Sequence, residues 1–161
     1  MTRSLQWATL VTAVGCGLSG GVFFAFSAFV MPALRRLPPQ QGIAAMQSIN
    51  KRAVTPAFMT ALFGTAAACL VLVVWVVLTW GEQAHPWVLA GAVTYLAGAI
   101  VVTIAANVPL NDALAATRPD SDGAASQWRG YLSRWTAWNH VRAATALAAA
   151  VLLTGALVAP A

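Results

Sequence analysis

Trp135-Thr136-Ala137-Trp138-Asn139-His140-Val141-Arg142 runs without interruption into the apolar stretch Ala143–Ala159. An amide, an imidazole, a guanidinium and two indoles therefore stand at the mouth of a segment that approaches the ~20 residues a helix needs to cross a bilayer. In a chain with only 8% charged residues, an arginine at that depth is costly. Ionisable groups inside membrane helices are rare and usually functional. A second polar island, Asn107-Val108-Pro109-Leu110-Asn111-Asp112, follows another apolar run.

The rest of the chain has the same character. Of 161 residues, 60% are hydrophobic, and the mean hydropathy is +0.73. Soluble domains are about 45–50% apolar and about 25% charged. Four apolar runs predict spans at approximately 7–34, 53–80, 87–107 and 138–159. They fill the chain as one transmembrane domain over residues 1–161, an all-α integral membrane four-helix bundle. The first run is too long for the ~7–15-residue apolar core of a signal peptide, and it ends on the basic stop Arg35-Arg36.

Charge placement sets the expected orientation. Arg35, Arg36, Lys51 and Arg52 occupy the first loop; Arg118, Arg129 and Arg134 occupy the third, with Arg142 just inside. The loop Gly81–Pro86 has no basic residue and holds Glu82. Basic residues gather on the cytoplasmic side, so both long loops are expected in the cytoplasm and both termini outside, in the cytoplasmic membrane. The net charge of +5 thus reads as topology, and no nucleic-acid partner is expected.

Within the first loop, Ile43, Met46 and Ile49 recur at helical spacing, which predicts a short amphipathic helix at the cytoplasmic interface. In the third, Ser126 is a candidate N-cap for a last helix starting near Gln127. Gly17 and Gly21 have the spacing that lets membrane helices approach closely. They serve either packing within the bundle or an oligomer contact. Membrane lipid is the other expected partner.

At about 100° per residue, Trp128, Leu132, Trp135, Trp138, Asn139 and Arg142 share one stripe of the last helix. Arg129, Ser133, Thr136 and His140 fall on another, roughly a quarter turn or more away. Arg142 either reaches the lipid headgroups or pairs internally, with Asp112 or the Asn111 carbonyl as candidates. Asn107 and Asn111 stack at i, i+4, but Pro109 between them removes a backbone bond, and a kink or restart is expected there. His140 is the one side chain on this side suited to proton transfer near neutrality. Cys16 and Cys69 lie within spans as small apolar residues. No metal is expected, because this face offers only His140 and Asp112 as ligands. His85 and His140 sit at opposite faces, which argues against a two-histidine haem site.

Several segments, taken in order, carry a resemblance. They are Gly20-Gly-Val-Phe-Phe24-Ala-Phe-Ser27, Val30-Met-Pro32-Ala-Leu34, Met46-Gln-Ser-Ile-Asn50, Asn107-Val-Pro-Leu-Asn111 and Trp135-x-x-Trp138-Asn139-x-x-Arg142. Over nearly the whole chain these resemble the anthrone oxygenase-like family of small four-span membrane proteins. The resemblance implies oxidation of a hydrophobic aromatic substrate, of polyketide or hydroquinone type, by molecular oxygen with no dedicated cofactor. Such chemistry needs a proton removed and an oxyanion stabilised. Placed on this sequence, His140, Arg142, Asn139 and Asn111 become the candidate catalytic residues. Phe24, Asn50, Asn107, Asp112, Trp135 and Trp138 become the candidate substrate contacts. The alternative is a non-catalytic membrane protein that holds a lipid, quinone or other small hydrophobic ligand, or scaffolds a partner.

Overall fold

The computed structural model describes residues 2–80 and 85–158. Glu82 and the expected last-span end at Ala159 lie outside the described residues. Four helices are long and apolar enough to cross a membrane: α1 (Arg3–Arg35), α3 (Pro56–Leu78), α4 (Pro86–Ala115) and α5 (Ala124–Val158). A fifth, α2 (Pro39–Ala53), connects α1 to α3. The result is an all-helical membrane bundle. α5 packs along α1 and α4, and α3 closes the bundle against the other sides of those two helices.

The helix starts follow from local chemistry. Thr2 Oγ1 accepts from Leu5 N at 3.3 Å, and Thr55 Oγ1 accepts from Phe58 N at 3.3 Å. Pro56 and Pro86 occupy first-turn positions, where no intrahelical N–H is needed. α5 begins at Ala124 and not near Gln127. Gly123, with φ of 84°, makes the turn, and its carbonyl accepts from Ser126 N and Gln127 N at 2.9 and 3.1 Å. That places Ser126 inside the helix. At 1.5 Å per residue α5 is about 52 Å long, well beyond the ~30 Å of bilayer hydrocarbon.

α2 does more than lie at an interface. Ile43 and Met46 are fully buried, and Gly42 sits so close to Trp128 that an added Cβ would meet Cζ2 at 2.7 Å. Gln47 Nε2 donates to the carbonyls of Leu114 and Thr117, at 2.8 and 2.9 Å. It thereby caps the end of α4, where main-chain acceptors lack helical partners.

At Pro109, where a kink or restart is expected, the α-helical winding restarts at Val108 after a π turn, and α4 runs on past the proline to Ala115. The π turn covers Thr103–Asn107, and Val108 N donates five residues back to the Thr103 carbonyl. The same device precedes Pro32 in α1. There the π turn spans Phe26–Val30, and Met31 N donates to the Phe26 carbonyl. Each widened turn makes room for the proline ring without ending the helix. Further π turns lie at Thr60–Gly64 and Leu96–Val101.

The interior forms two apolar clusters. One, from Leu5 and Phe23 in α1 to Tyr95 in α4 and Leu153 in α5, fills the four-helix part. The other gathers Met31, Ile43, Met46, Leu114, Trp128 and Trp135 under α2. Close approach in the first cluster relies on Gly98, where a side chain would collide with Thr145. Of the two glycines at small-residue spacing, Gly17 faces Ala150, whereas nothing lies within 4 Å of a Cβ placed on Gly21.

Candidate functional site

A polar layer separates the two clusters, built by α1, α4 and α5 where their sequences carry Phe23–Ser27, Thr103–Asn107 and Trp135–Arg142. Arg142 is 6% exposed and Asn139 0%. Asn139 Nδ2 donates to the Phe23 carbonyl and to Ser27 Oγ, each at 2.7 Å. Its Oδ1 accepts from Arg142 Nη2 at 2.7 Å. Arg142 Nη1 donates to Thr103 Oγ1 at 3.1 Å, and that hydroxyl donates to the Ala99 carbonyl at 2.7 Å. The guanidinium carbon sits 4.3 Å from the Phe23 ring centroid and 5.2 Å from that of Trp135. Such ring contacts stabilise a desolvated cation by about 0.5–2 kcal/mol each.

The layer has no counter-ion among the described residues. Among the described residues the recorded ion pair is Arg118 with Asp120, at the surface. Asp112 and Asp122 are exposed. The expected Arg142–Asp112 pair does not form. Asp112 lies nine residues beyond Thr103 on α4, about 14 Å along the axis, and about 140° round from Asn107. Snorkelling to the headgroups is also absent, since the guanidinium is held among Phe23, Thr103, Trp135 and Asn139. Arg142 Nε, Trp135 Nε1 and Asn107 Oδ1 are buried with no hydrogen-bond partner. Buried polar atoms are ordinarily paired, so two donors and an acceptor in this layer are left unpaired.

Other candidates take different positions. Asn107 Nδ2 donates to the Trp135 carbonyl at 3.2 Å, joining α4 to α5 where they pass. Asn111 Oδ1 accepts from the Tyr131 hydroxyl at 2.9 Å. Asn111 and Asn50 are half-buried, and neither belongs to the Arg142 shell. Trp135 belongs to the layer. Trp128, Tyr131 and Trp135 stack in sequence, with centroids 5.6 and 6.2 Å apart.

Three candidates point outward. His140 is exposed, Trp138 is 44% exposed and Phe24 is 57% exposed. On α5 the buried stripe is centred near Trp128, Trp135 and Asn139; Trp138 lies about 80° and His140 about 120° from that centre. Adjacent phenylalanines cannot share a face, and Phe23 is the one that covers Arg142. Of these contacts, Phe23 and Ser27 fall in the Gly20–Ser27 segment that carries the family resemblance, where the crowded phenylalanines offer candidates for a pocket wall. Thr103 and Tyr131 are not among the residues expected from the sequence, although Tyr131 falls three residues after Trp128 on the same stripe.

Cys16 and Cys69 are buried free thiols in the four-helix cluster, in contact with one another. Among the described residues no three His, Cys, Asp or Glu side chains come together.

Compared with known families, residues 55–152 match the model described as anthrone oxygenase. That range contains α3, α4 and most of α5, and with them Thr103, Asn107, Trp135, Asn139 and Arg142. No curated protein and no solved structure matches the chain.

Proposed function

The chain belongs to the anthrone oxygenase family, and on that premise we propose that it oxidises a hydrophobic aromatic ketone of the anthrone type with dioxygen, at the Arg142–Asn139 layer. One observation carries the reading. Arg142 is buried, roofed by two aromatic rings and free of any carboxylate partner among the described residues. A cation so placed suits an anionic, flat ligand, because low dielectric strengthens its attraction for charge that develops nearby.

The chemistry balances with the substrate and oxygen alone. A ring methylene loses a proton and becomes an enolate, whose oxygen takes the charge. The enolate passes one electron to dioxygen, and the resulting radical and superoxide join at that carbon. The peroxide takes up a proton and loses water, leaving a second ketone. One oxygen atom stays in the product and the other leaves as water. In this reading Arg142 Nε and Trp135 Nε1 stabilise the enolate oxygen. The proton departs to water, because His140 faces outward.

The same outward placement of His140 and Asp112 favours a second reading, in which the layer holds an aromatic or quinone ligand without turnover. We also propose that the chain sits in the cytoplasmic membrane with both long connections in the cytoplasm, on the strength of the basic residues gathered there.

An oxygen electrode separates the readings. Protein in lipid nanodiscs is expected to consume one dioxygen per anthrone converted, and Arg142→Gln is expected to lose at least 100-fold. Equal uptake by wild type and Arg142→Gln overturns the proposed site. Saturable anthrone binding with no uptake establishes the ligand-holding alternative.

A further inference from the structure

Phe23, Thr103, Trp135, Asn139 and Arg142 are all buried, so whatever reaches the polar layer arrives through an element that moves. On one side of the layer the membrane helices interlock at glycines. A Cβ on Gly20 would meet Leu147 at 2.9 Å, and one on Gly91 would meet Leu153 at 2.8 Å. On the other side the layer is covered by the second apolar cluster, to which α2 contributes Ile43 and Met46. We infer that α2 is a lid over the Arg142–Asn139 layer and that Gln47 is its latch. The purpose of the lid rests on the proposed reading of that layer as the ligand site.

α2 is built to move as a unit. It is joined to α1 through Arg36–Pro38, and to α3 through Val54 and Thr55, all outside the helices. Val54 has φ −80° and ψ 67°, and Thr55 is extended. A few residues at the ends of an element are enough to absorb a hinge rotation. Closure buries little apolar surface, since Ile43 and Met46 are the fully buried side chains of α2, whereas Gln40, Gln41, Ser48, Lys51 and Arg52 are exposed. Elements with few buried apolar contacts open most readily. An amphipathic helix of this kind also rests on a bilayer surface with its apolar face in the headgroup boundary. Ile43 and Met46 therefore need not meet water when α2 lifts.

The latch is reversible by construction. Gln47 Nε2 donates to the Leu114 and Thr117 carbonyls at 2.8 and 2.9 Å. These are acceptors at the end of α4, and Thr117 is half-buried, so water can replace the amide at small net cost. Closure has a cost of its own. Trp128 Nε1 is buried with no hydrogen-bond partner, under Gly42, whose Cβ position lies 2.9 Å from it. Lifting α2 lets that donor reach water. Beneath the lid, Trp128, Tyr131 and Trp135 follow one another along α5, and the Trp135 ring is 5.2 Å from the Arg142 guanidinium carbon. Opening at Trp128 thus uncovers the start of a path that ends at the layer.

Thiol labelling tests the gate with no substrate present, so the result stands apart from the proposed oxidation. Met46→Cys puts a thiol under the lid, and Thr103→Cys puts one in the layer. Each is labelled with 2-sulfonatoethyl methanethiosulfonate, whose charge keeps it out of lipid, on the full chain in phosphatidylcholine nanodiscs. Gln47→Glu keeps the side chain's shape but cannot donate to the two carbonyls. It is expected to speed labelling at both positions at least fivefold. Gly42→Ala, whose methyl meets the Trp128 ring, is expected to speed both as well. Gln47→Lys restores a donor at the latch and is expected to stay within twofold of the rate with Gln47. Cys69, buried in the other cluster, is expected to label equally slowly in every variant. The proposal is overturned if neither Gln47→Glu nor Gly42→Ala speeds labelling. It is also overturned if Met46→Cys speeds up while Thr103→Cys does not, because α2 then moves without gating the layer. Equal acceleration at Cys69 overturns it too, since that is loosening of the whole bundle.

Discussion

Asn139 Oδ1 accepts from Arg142 Nη2 at 2.7 Å, so the amide that ties α5 to α1 also orients the buried guanidinium. Its orientation is unambiguous. The Phe23 carbonyl can only accept, and the guanidinium can only donate. Asn139 is thus a two-sided clamp between a main-chain acceptor and a cation, one helical turn from the charge it positions.

The cation itself is expected to be dispensable for folding. A buried cation without a counter-ion carries a desolvation cost of about several kcal/mol that an apolar side chain of similar volume does not. Arg142→Met removes the costly charge, leaves Thr103 Oγ1 still bonded to Ala99, and takes away only one bond at Asn139 Oδ1, whose loss at about 1–3 kcal/mol the relieved desolvation offsets. Its melting temperature in detergent is expected to equal or exceed that of wild type, while oxygen uptake with an anthrone falls at least 100-fold. A melting temperature lower by many degrees would make Arg142 a structural strut instead.

Asn139 is expected to behave in the opposite way. Asn139→Ala strands Arg142 Nη2 and leaves the Phe23 carbonyl with the Phe26 N–H alone, at about 1–3 kcal/mol for a buried group left unpaired. Thermal unfolding should show the loss directly. Asn139→Asp separates charge from packing. A carboxylate at this position gives Arg142 an internal counter-ion, so uptake is expected to fall as far as in Arg142→Met. Ligand binding at the layer should fall with it. Activity retained in Asn139→Asp would show that Arg142 is not the anion-binding group.

Much of this arrangement is legible in the sequence, and what is hidden has identifiable causes. Hydropathy gives the four membrane helices, and the 3.6-residue period places Trp135, Asn139 and Arg142 on one face. Serine and threonine are harder to read, because in membrane helices they commonly bond their own backbone four residues back. Thr103 does so and also receives Arg142, a double role that no spacing announces. Phe23 continues the buried stripe Thr9, Thr12, Cys16 and Ser19 of the regular part of α1, and Phe24 lies off it. The π turn that follows at Phe26–Val30 has Pro32 as its one sequence trace, just as Pro109 marks the turn in α4. The helix limits shift for a different reason. Ala124–Gly130 are too polar for a hydropathy run, yet they belong to the continuous helix α5.

His140 and Trp138 provide a control on the same helix. Both lie off the buried stripe, His140 fully outward. His140→Ala is expected to leave uptake within twofold at every pH tested, and Trp138→Leu is expected to do the same. A tenfold loss in His140→Ala would restore a histidine-centred mechanism. It would also require α5 to turn during the reaction.

Glycines test the packing and the proposed oligomer face separately. A side chain at Gly98 collides with Thr145, and overpacking of this kind costs about 1–3 kcal/mol. Gly98→Val is therefore expected to lower the melting temperature and, through the shift of α4, to weaken the Arg142–Thr103 bond. Gly21 is different, since nothing stands within 4 Å of its Cβ position and it faces outward. Gly21→Leu should leave the melting temperature of the monomer unchanged. If α1 forms a contact between copies through Gly17 and Gly21, the same substitution lowers the oligomeric mass seen by light scattering in mild detergent. An unchanged mass from an oligomeric wild type would remove that face from consideration, because a leucine there cannot fit between two closely apposed helices.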